Sequence, residues 1–127
     1  MTNIEKKISN ETASILLRKK CIEFSFEKKF QLTSGRRSIV YCDCRKIISH
    51  TAEREKLINF ALTKIKLDKT LNSLTNIAGG ESAGIPYASL LAQKLKLPLS
   101  YIRKERKKFG KKSQIEGNLK ANDNVLI

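Results

Sequence analysis

The densest concentration of chemically capable side chains is a basic stretch at residues 101–117. A segment that repels itself and carries little apolar surface does not fold onto a core, so we predict a mobile loop. A group of cations at the end of a strand can bind a polyanion, and a phosphate or pyrophosphate group is the simplest candidate ligand. The alternative is a solvated charged loop without a ligand. Between residues 103 and 112, seven cations are opposed only by Glu105, namely Arg103, Lys104, Arg106, Lys107, Lys108, Lys111 and Lys112.

A second candidate anion site is the glycine-rich segment at residues 79–84, which follows a predicted strand and opens a predicted helix. Backbone N–H groups at such a position can bind an anion, helped by the helix dipole. The segment lacks the Lys-Ser/Thr pair of a nucleoside-triphosphate loop and the spacing of a dinucleotide fingerprint. A plain tight turn is therefore the alternative interpretation.

The charge balance of the whole chain points the same way but is less specific. The net charge is +14, from 26 Lys and Arg against 12 Asp and Glu. Such an excess attracts nucleotides, phosphorylated sugars, nucleic acid or anionic lipid without choosing among them. A nucleic-acid-binding module is disfavoured, because aromatic residues make up only 6% of the chain and no reading helix or stacking pair is visible.

The cysteines offer little chemistry by their spacing. Cys42 and Cys44 fall in a strand-like run, which places both sulfurs on one face, and Cys21 makes the number odd. His50 is the only histidine, and the spacing is wrong for zinc, so we predict buried, unreactive thiols and no metal site. Residues 1–10 are polar and charged and do not resemble a signal peptide, which predicts a reduced, cytoplasmic protein. No apolar run approaches the ~18 residues that a membrane helix needs.

The elements that must position these residues divide at about residue 50. A helical stripe predicts a helix at residues 4–19, and alternation predicts a small antiparallel unit at residues 22–44. Its strands would be residues 22–26, with Phe24 and Phe26 on the buried face, then 30–32 and 38–44, joined by a turn at residues 33–36.

The second half has the pattern of an α/β unit. A helix begins near Ser49 or Thr51, followed by a strand at residues 74–78, the glycine loop, a helix with Pro86 in its first turn, and a strand at residues 97–102. The two strands should be parallel. Residues 125–127 begin another apolar strand. With 127 residues, the chain can form one domain at most.

Three blocks of sequence, in the right order, resemble orotate phosphoribosyltransferases, which belong to the type I phosphoribosyltransferase family. The block YIRKERKKFG at residues 101–110 is similar to their active-site loop, Arg-Lys-Glu-x-Lys-x-His/Phe-Gly. The block FQLTSGRRSIVYCDCRKIIS at residues 30–49 and the block IAGGESAGIPYA at residues 77–88 are similar to two further family segments. The resemblance extends from about Ser14 to Ile127.

The resemblance implies an α/β chain with a truncated phosphoribosyltransferase-type fold, in which a parallel sheet with helices is joined to a small N-terminal helix and an antiparallel hood. Residues 1–127 would form a single, incomplete domain. Residues 1–50 would be the helix and hood, and residues 51–127 the start of the α/β core with a mobile basic loop at 103–117.

It also implies an activity in pyrimidine (UMP) biosynthesis. Orotate and phosphoribosyl pyrophosphate would give orotidine monophosphate and pyrophosphate, with Mg²⁺ bound mainly through the pyrophosphate. The complete enzyme would be a homodimer, with no membrane partner.

The resemblance further implies roles for individual residues. Lys104 and Lys107 would be catalytic and contact the pyrophosphate. Arg103 would also contact a pyrophosphate, bound either in its own subunit or in the neighbouring one. The phosphate side would be lined by Gly80, Glu81, Ser82, Ala83 and Gly84. Residues near the substrate would be Thr33, Ser34, Gly35, Arg36, Tyr41 and Cys42.

The chain departs from the family pattern in two ways. Many members have Lys at the position of Thr33 and His at that of Phe109, and some have Tyr-Lys at those of Ser82 and Ala83. The family's phosphoribosyl pyrophosphate motif, an apolar strand with two acids and a Thr-x-Gly-Gly-Ser/Thr-like loop, would follow Ile127. We therefore expect an N-terminal part that is inactive alone, as a fragment, a split gene product or a decayed copy. The alternatives are a non-catalytic relative that binds phosphorylated ligands, and the nucleic-acid-binding module.

Overall fold

The structure, a computed structural model, describes residues 1–106 and 113–127. It contains two compact units, Met1–Leu57 and Ile58–Ile127, and the boundary between them falls inside a helix. Neither unit, within those ranges, contains a helix with the length and apolar character needed to cross a membrane.

The first unit begins with helix α1 at Asn3–Arg18, close to the predicted bounds. Its start is fixed by a capping box, in which the Glu5 N–H donates to Thr2 Oγ1 (3.2 Å) and the Thr2 N–H donates to Glu5 Oε2 (2.8 Å). Ile15, on the inner face, is fully buried.

The predicted antiparallel unit is present as two pairs of strands. Strand β1 (Ile22–Phe24) pairs with β4 (Val40–Cys42), and β2 (Phe30–Gln31) pairs with β3 (Arg37–Ser38). The predicted turn is confirmed, since the Leu32 N–H donates to the Arg36 carbonyl and the Gly35 N–H to the Leu32 carbonyl, both at 2.9 Å. Gly35 has a φ of +81°, a conformation that favours glycine.

Two details of this unit differ from the sequence prediction. The predicted strand at residues 38–44 is interrupted at Ile39, and a short 3-10 helix begins at Cys44 (Cys44–Ser49), capped by the side chain of Asp43. The prediction that Phe24 and Phe26 face a core is also wrong, because they are 58% and 75% exposed. The strand ends at Phe24, so alternation no longer directs the next ring inward.

Helix α2 occupies Thr51–Leu67, and the second unit continues with a four-stranded sheet. Strand β5 (Asn76–Gly80) is central, with β6 (Leu99–Ile102) and β8 (Val125–Leu126) parallel to it on either side. Helix α3 (Gly84–Leu95) connects β5 to β6, as predicted. A core of Ile77, Ala88 and Ala92 lies between β5 and α3, surrounded by Leu74, Leu91, Leu95, Leu97 and Leu126.

The sequence analysis misplaced two boundaries in this sheet. Gly79 and Gly80 belong to β5 rather than to a loop, because residues without side chains leave no alternation to detect. Ile115 and Glu116 were assigned to the basic loop but form strand β7 (Ile115–Glu116), antiparallel to β6. A two-residue strand is too short to show a period, and the cations before it hide it further.

A hydrogen-bond cluster ahead of β5 and β8 ties the two strands together. The Thr75 hydroxyl donates to Asp123 Oδ1 (2.8 Å), and the Lys120 N–H donates to Asp123 Oδ2 (2.7 Å). The Asn124 N–H donates to Thr75 Oγ1 (2.9 Å), and the Thr75 N–H donates to the Asn124 carbonyl (2.9 Å). The bonds from Lys120 and Thr75 lower the pKa of Asp123.

Replacing Asp123 with asparagine should therefore reduce stability in a pH-dependent way. A carboxyl whose folded pKa is depressed stabilises the protein above its unfolded pKa of about 3.9, and this contribution is lost as the pH falls through the folded value. We expect Asp123→Asn to lower the Tm at pH 7 and the difference from the unsubstituted chain to narrow below about pH 4. Thermal unfolding of the two chains, measured from pH 7 to below pH 4, gives the difference in Tm and its change with pH. Glu27→Gln, which removes an equal charge from an exposed site, is the control; a deficit independent of pH would contradict the argument.

Candidate phosphate-binding site

The structure brings the two predicted phosphate-binding segments together. Strands β5 and β6 are parallel neighbours with Gly80 opposite Ile102, so the chain leaves both strands at the same edge of the sheet. Beyond that edge, the Glu81 N–H donates to the Ile102 carbonyl (2.8 Å), and the Lys104 N–H donates to Glu81 Oε2 (2.8 Å). The glycine segment and the start of the basic loop are therefore joined by direct hydrogen bonds.

The glycine segment forms a turn packed closely on the start of α3. A Cβ placed on Gly79 would lie 2.8 Å from the Gly84 carbonyl oxygen, so the turn needs glycine there. The Glu81–Ser82 peptide bond is cis. Within residues 1–106 and 113–127, no acceptor contacts the N–H groups of Ser82 and Ala83, and both residues are exposed. Open N–H groups at the amino end of a helix are suited to hold an anion.

Glu81 has a different role in this arrangement from its neighbours. Its carboxylate would repel a phosphate, and it accepts the N–H of Lys104 instead. This contact fixes the backbone of Lys104 while the side chain remains exposed. Glu81 thus fixes the backbone of Lys104, and its predicted place among the phosphate-lining residues stays a prediction.

The backbone of Arg103 is held by Gln114. Its N–H donates to the Gln114 carbonyl (2.8 Å) and its carbonyl accepts from Gln114 Nε2 (3.1 Å), which continues the pairing of β6 with β7. Its guanidinium approaches Glu116, with Nη1 3.8 Å from Oε1, too far for a hydrogen bond. Arg103 Nε is buried and has no acceptor in the described part of the chain.

Sequence analysis gave no role to Gln114 or Glu116, although both support Arg103. The signal that could have revealed them is the spacing of Gln114 and Glu116, which places both on one face of a strand. Lys107, the other predicted catalytic lysine, lies outside the described residues.

Comparison with known proteins finds relatives among the orotate phosphoribosyltransferases. The orotate phosphoribosyltransferase of Jannaschia sp. (strain CCS1) is 41% identical over 116 residues, which are 91% of this chain and 51% of that protein. The orotate phosphoribosyltransferase of Rhizobium rhizogenes (strain K84 / ATCC BAA-868) is 41% identical over 128 residues, 100% of this chain and 55% of that protein. The chain is homologous to orotate phosphoribosyltransferases. It spans about half the length of these curated relatives, and no protein-family model matches it.

Solved structures agree with this assignment and confirm the predicted fold class. The UMP synthase of Leishmania donovani superposes with a TM-score of 0.72 at 30% identity, covering 91% of this chain and 23% of that one. The orotate phosphoribosyltransferase of Aeropyrum pernix gives a TM-score of 0.62 at 28% identity, covering 72% of this chain and 52% of that one. The α/β, phosphoribosyltransferase-type fold is thus established for this orotate phosphoribosyltransferase homologue.

The predicted substrate-proximal residues of this homologue all lie in the first unit. Thr33, Ser34, Gly35 and Arg36 occupy the exposed turn between β2 and β3, and Tyr41 and Cys42 end β4. They are therefore carried by two different pairs of strands, and their predicted role stays a prediction.

Tyr41 is fixed by its neighbours in that unit. Its ring lies 5.5 Å from that of Phe30, centroid to centroid, and its hydroxyl accepts from Arg45 Nη2 (3.2 Å). Arg45 also contacts the carboxylate of Asp43 through Nε (2.6 Å) and Nη2 (3.0 Å). These bonds lower the pKa of Asp43. The Asp43–Arg45 pair thus holds the Tyr41 hydroxyl in one place.

The prediction of buried, unreactive thiols in this homologue is correct for one cysteine only. Cys21 is fully buried beside β1. Cys42 and Cys44 are exposed, and their sulfurs lie 3.6 Å apart. Cys44 lies beyond the end of β4, at the start of the short 3-10 helix.

Proposed function

We propose that this chain supplies the pyrophosphate-binding part of an orotate phosphoribosyltransferase, as its amino-terminal portion. The reaction would transfer the phosphoribosyl group of phosphoribosyl pyrophosphate to orotate and release pyrophosphate. The observation that carries the proposal is the Lys104–Glu81 contact, which joins the basic loop to the glycine turn at the edge where β5 and β6 end. The two substrates are inferred from the similarity to orotate phosphoribosyltransferases.

The transfer of the phosphoribosyl group requires cations and hydrogen-bond donors that stabilise the leaving pyrophosphate. The ribosyl carbon becomes cationic as pyrophosphate leaves, so the protein must neutralise the leaving group and exclude water rather than provide a nucleophile. The N–H groups of Ser82 and Ala83 are open for phosphate oxygens, and the Lys104 side chain extends from a fixed backbone beside them. Mg²⁺ would arrive with the pyrophosphate, since this ion usually takes few protein ligands when it accompanies phosphates.

The remaining assignments form part of the same proposal. Lys107 would add a second cation to the leaving group, and Arg103 would act on the pyrophosphate of its own or the neighbouring subunit of a homodimer. The residues Thr33, Ser34, Gly35, Arg36, Tyr41 and Cys42 would lie near the substrate. The enzyme would work in the cytoplasm.

A chimeric enzyme tests the proposal directly. Residues 1–127 would be joined to the part of the Rhizobium rhizogenes enzyme that this chain does not cover, and orotate consumption followed by absorbance. We expect turnover that requires phosphoribosyl pyrophosphate and Mg²⁺, and none from the Rhizobium rhizogenes part alone. A folded chimera that binds pyrophosphate without turnover would favour the non-catalytic relative. A folded chimera that binds duplex or single-stranded nucleic acid but not pyrophosphate would overturn the proposal.

The 127-residue chain without a complementing part should not consume orotate. It spans about half of its curated relatives, and the ribose and 5′-phosphate of the substrate need contacts beyond the pyrophosphate site described above. The measurement is the same absorbance assay at high protein concentration, with the chimera as the positive control. Turnover by the purified chain would contradict this expectation.

A further inference from the structure

The exposed thiols of Cys42 and Cys44 form a pair that the phosphate chemistry does not use. Their sulfurs are 3.6 Å apart, within hydrogen-bonding distance for sulfur, and either can be the donor. Both side chains are exposed, whereas the third thiol, Cys21, is fully buried. The first unit therefore presents two adjacent reactive groups and protects the third.

The backbone on both sides of this pair is fixed. Cys42 is paired with Ile22 across β4 and β1, and the Asp43 N–H donates to the Cys21 carbonyl (2.7 Å). The Asp43 side chain accepts from the Arg45 N–H (3.1 Å), which begins the 3-10 helix that carries Cys44. The closeness of the two sulfurs thus follows from the local fold and does not depend on two freely rotating side chains meeting by chance.

We propose that Cys42 and Cys44 are a dithiol modification site, which a small-molecule disulfide converts to an intrachain disulfide. The thiolate of Cys42 attacks one sulfur of the small disulfide, forming a mixed disulfide and releasing one small thiol. The thiolate of Cys44 then attacks the Cys42 sulfur, forming the Cys42–Cys44 bond and releasing the second small thiol. The two cysteines are oxidised, the small disulfide is reduced to two thiols, and the protons of the cysteines pass to the departing thiolates.

The environment of Cys44 fits this order of events. Partial burial and the hydrogen bond with Cys42 raise the pKa of Cys44 to about 11. Cys44 therefore keeps its proton in the resting state, and the first attack falls to Cys42, because the thiolate is the reactive form. Once Cys42 is in a mixed disulfide, Cys44 is the nearest thiol and acts as the resolving group.

A disulfide formed here should be easily reduced. The sulfurs must close from 3.6 Å to about 2.05 Å within a ring that contains only one intervening residue. Strained and exposed disulfides have higher reduction potentials than structural ones and are the labile, regulatory class. The described residues contain no group of three side chains suited to hold a metal ion, so the pair is better matched to covalent thiol chemistry than to a metal.

Oxidation would also act on the neighbouring Tyr41, a consequence that rests on the proposed function. Asp43 lies between the two cysteines in the sequence and holds Arg45, which in turn holds the Tyr41 hydroxyl. Drawing the two cysteines together moves Asp43 and with it this chain of contacts. Orotate turnover by the chimera would then respond to oxidation, whereas the disulfide itself needs no turnover to be detected.

The experiment is intact-mass spectrometry of the native chain after treatment with glutathione disulfide. We expect a loss of two hydrogens with no retained glutathione, one alkylatable thiol (Cys21) after denaturation, and full reversal by reduced glutathione. The variant Cys44→Ser keeps the attacking thiol but lacks the resolving one, and should instead retain one glutathione per chain. The variant Cys42→Ser lacks the attacking thiol and should react much more slowly.

Other outcomes of this experiment would overturn the proposal. These are a native chain that retains glutathione as Cys44→Ser does, and a native chain that does not react while the denatured chain does. Neither outcome bears on the proposed function, because the measurement requires neither orotate nor pyrophosphate.

Discussion

Lys104→Ala is expected to lower kcat of the chimeric enzyme by about 10²–10³-fold, the usual loss when one preorganised donor to developing charge is removed. The structure gives the physical reason. The backbone of Lys104 is fixed by Glu81 at the edge where the glycine turn begins, and its side chain is exposed there. Alanine keeps the N–H that Glu81 binds but removes the cation. The fold should therefore survive while the leaving pyrophosphate loses a charge-assisted contact.

Lys120→Ala is the matched control for this experiment. Lys120 is also an exposed lysine whose backbone N–H binds a carboxylate, that of Asp123, and its loss changes the net charge by the same amount. If the chain attracts pyrophosphate only through its overall charge of +14, the two substitutions should weaken binding equally. Added salt should then abolish the effect of both substitutions. A specific site requires that Lys104→Ala alone impairs both turnover and Mg²⁺–pyrophosphate binding. Equal effects would refute the assignment of Lys104.

The hydrogen bond between Glu81 and Lys104, on which this prediction depends, could not be predicted from the sequence. Glycines followed by a helix, and cations followed by a break, are visible as separate patterns, and the parallel order of β5 and β6 predicts that both lie at one edge of the sheet. Which side chain joins them is a matter of register. Glu81 appeared in the sequence as one member of a phosphate loop, and only its distance of 2.8 Å from the Lys104 N–H shows that it positions the second segment.

The first unit shows a different limit of sequence reasoning. The turn at residues 33–36 was predictable because Gly35 needs a positive φ and polar residues flank it. The exposure of Phe24 and Phe26 was not, since alternation indicates which residues share a face but not whether that face is covered. The same gap affected Cys42 and Cys44, where period 2 predicted that the two sulfurs share a face but could not show that this face is exposed.

Gly79→Ala is expected to destabilise the second unit strongly, because this glycine sets the closest approach between β5 and α3. The added Cβ would lie 2.8 Å from the Gly84 carbonyl oxygen, 2.8 Å from Ile85 Cα and 2.9 Å from Ala88 Cβ. Two of these three atoms belong to the backbone, so the clash can be relieved only by moving the start of α3. Overpacking of this kind costs about 1–3 kcal/mol and occasionally more. Since ~1 kcal/mol corresponds to roughly 4–8 °C in a domain of 60–100 residues, the fall in Tm should be plain in a thermal scan.

Gly80→Ala separates this clash from the general effect of replacing glycine. Gly80 is the next residue of the same strand, and a Cβ built on it meets nothing within 4 Å. Both substitutions restrict the unfolded chain alike, so the difference between their Tm values reports the native contact alone. Equal Tm values would mean that α3 can move away from β5 at little cost. In that case the turn at residues 81–83 would not be held rigidly against the sheet, and the open N–H groups of Ser82 and Ala83 would not be preorganised for an anion.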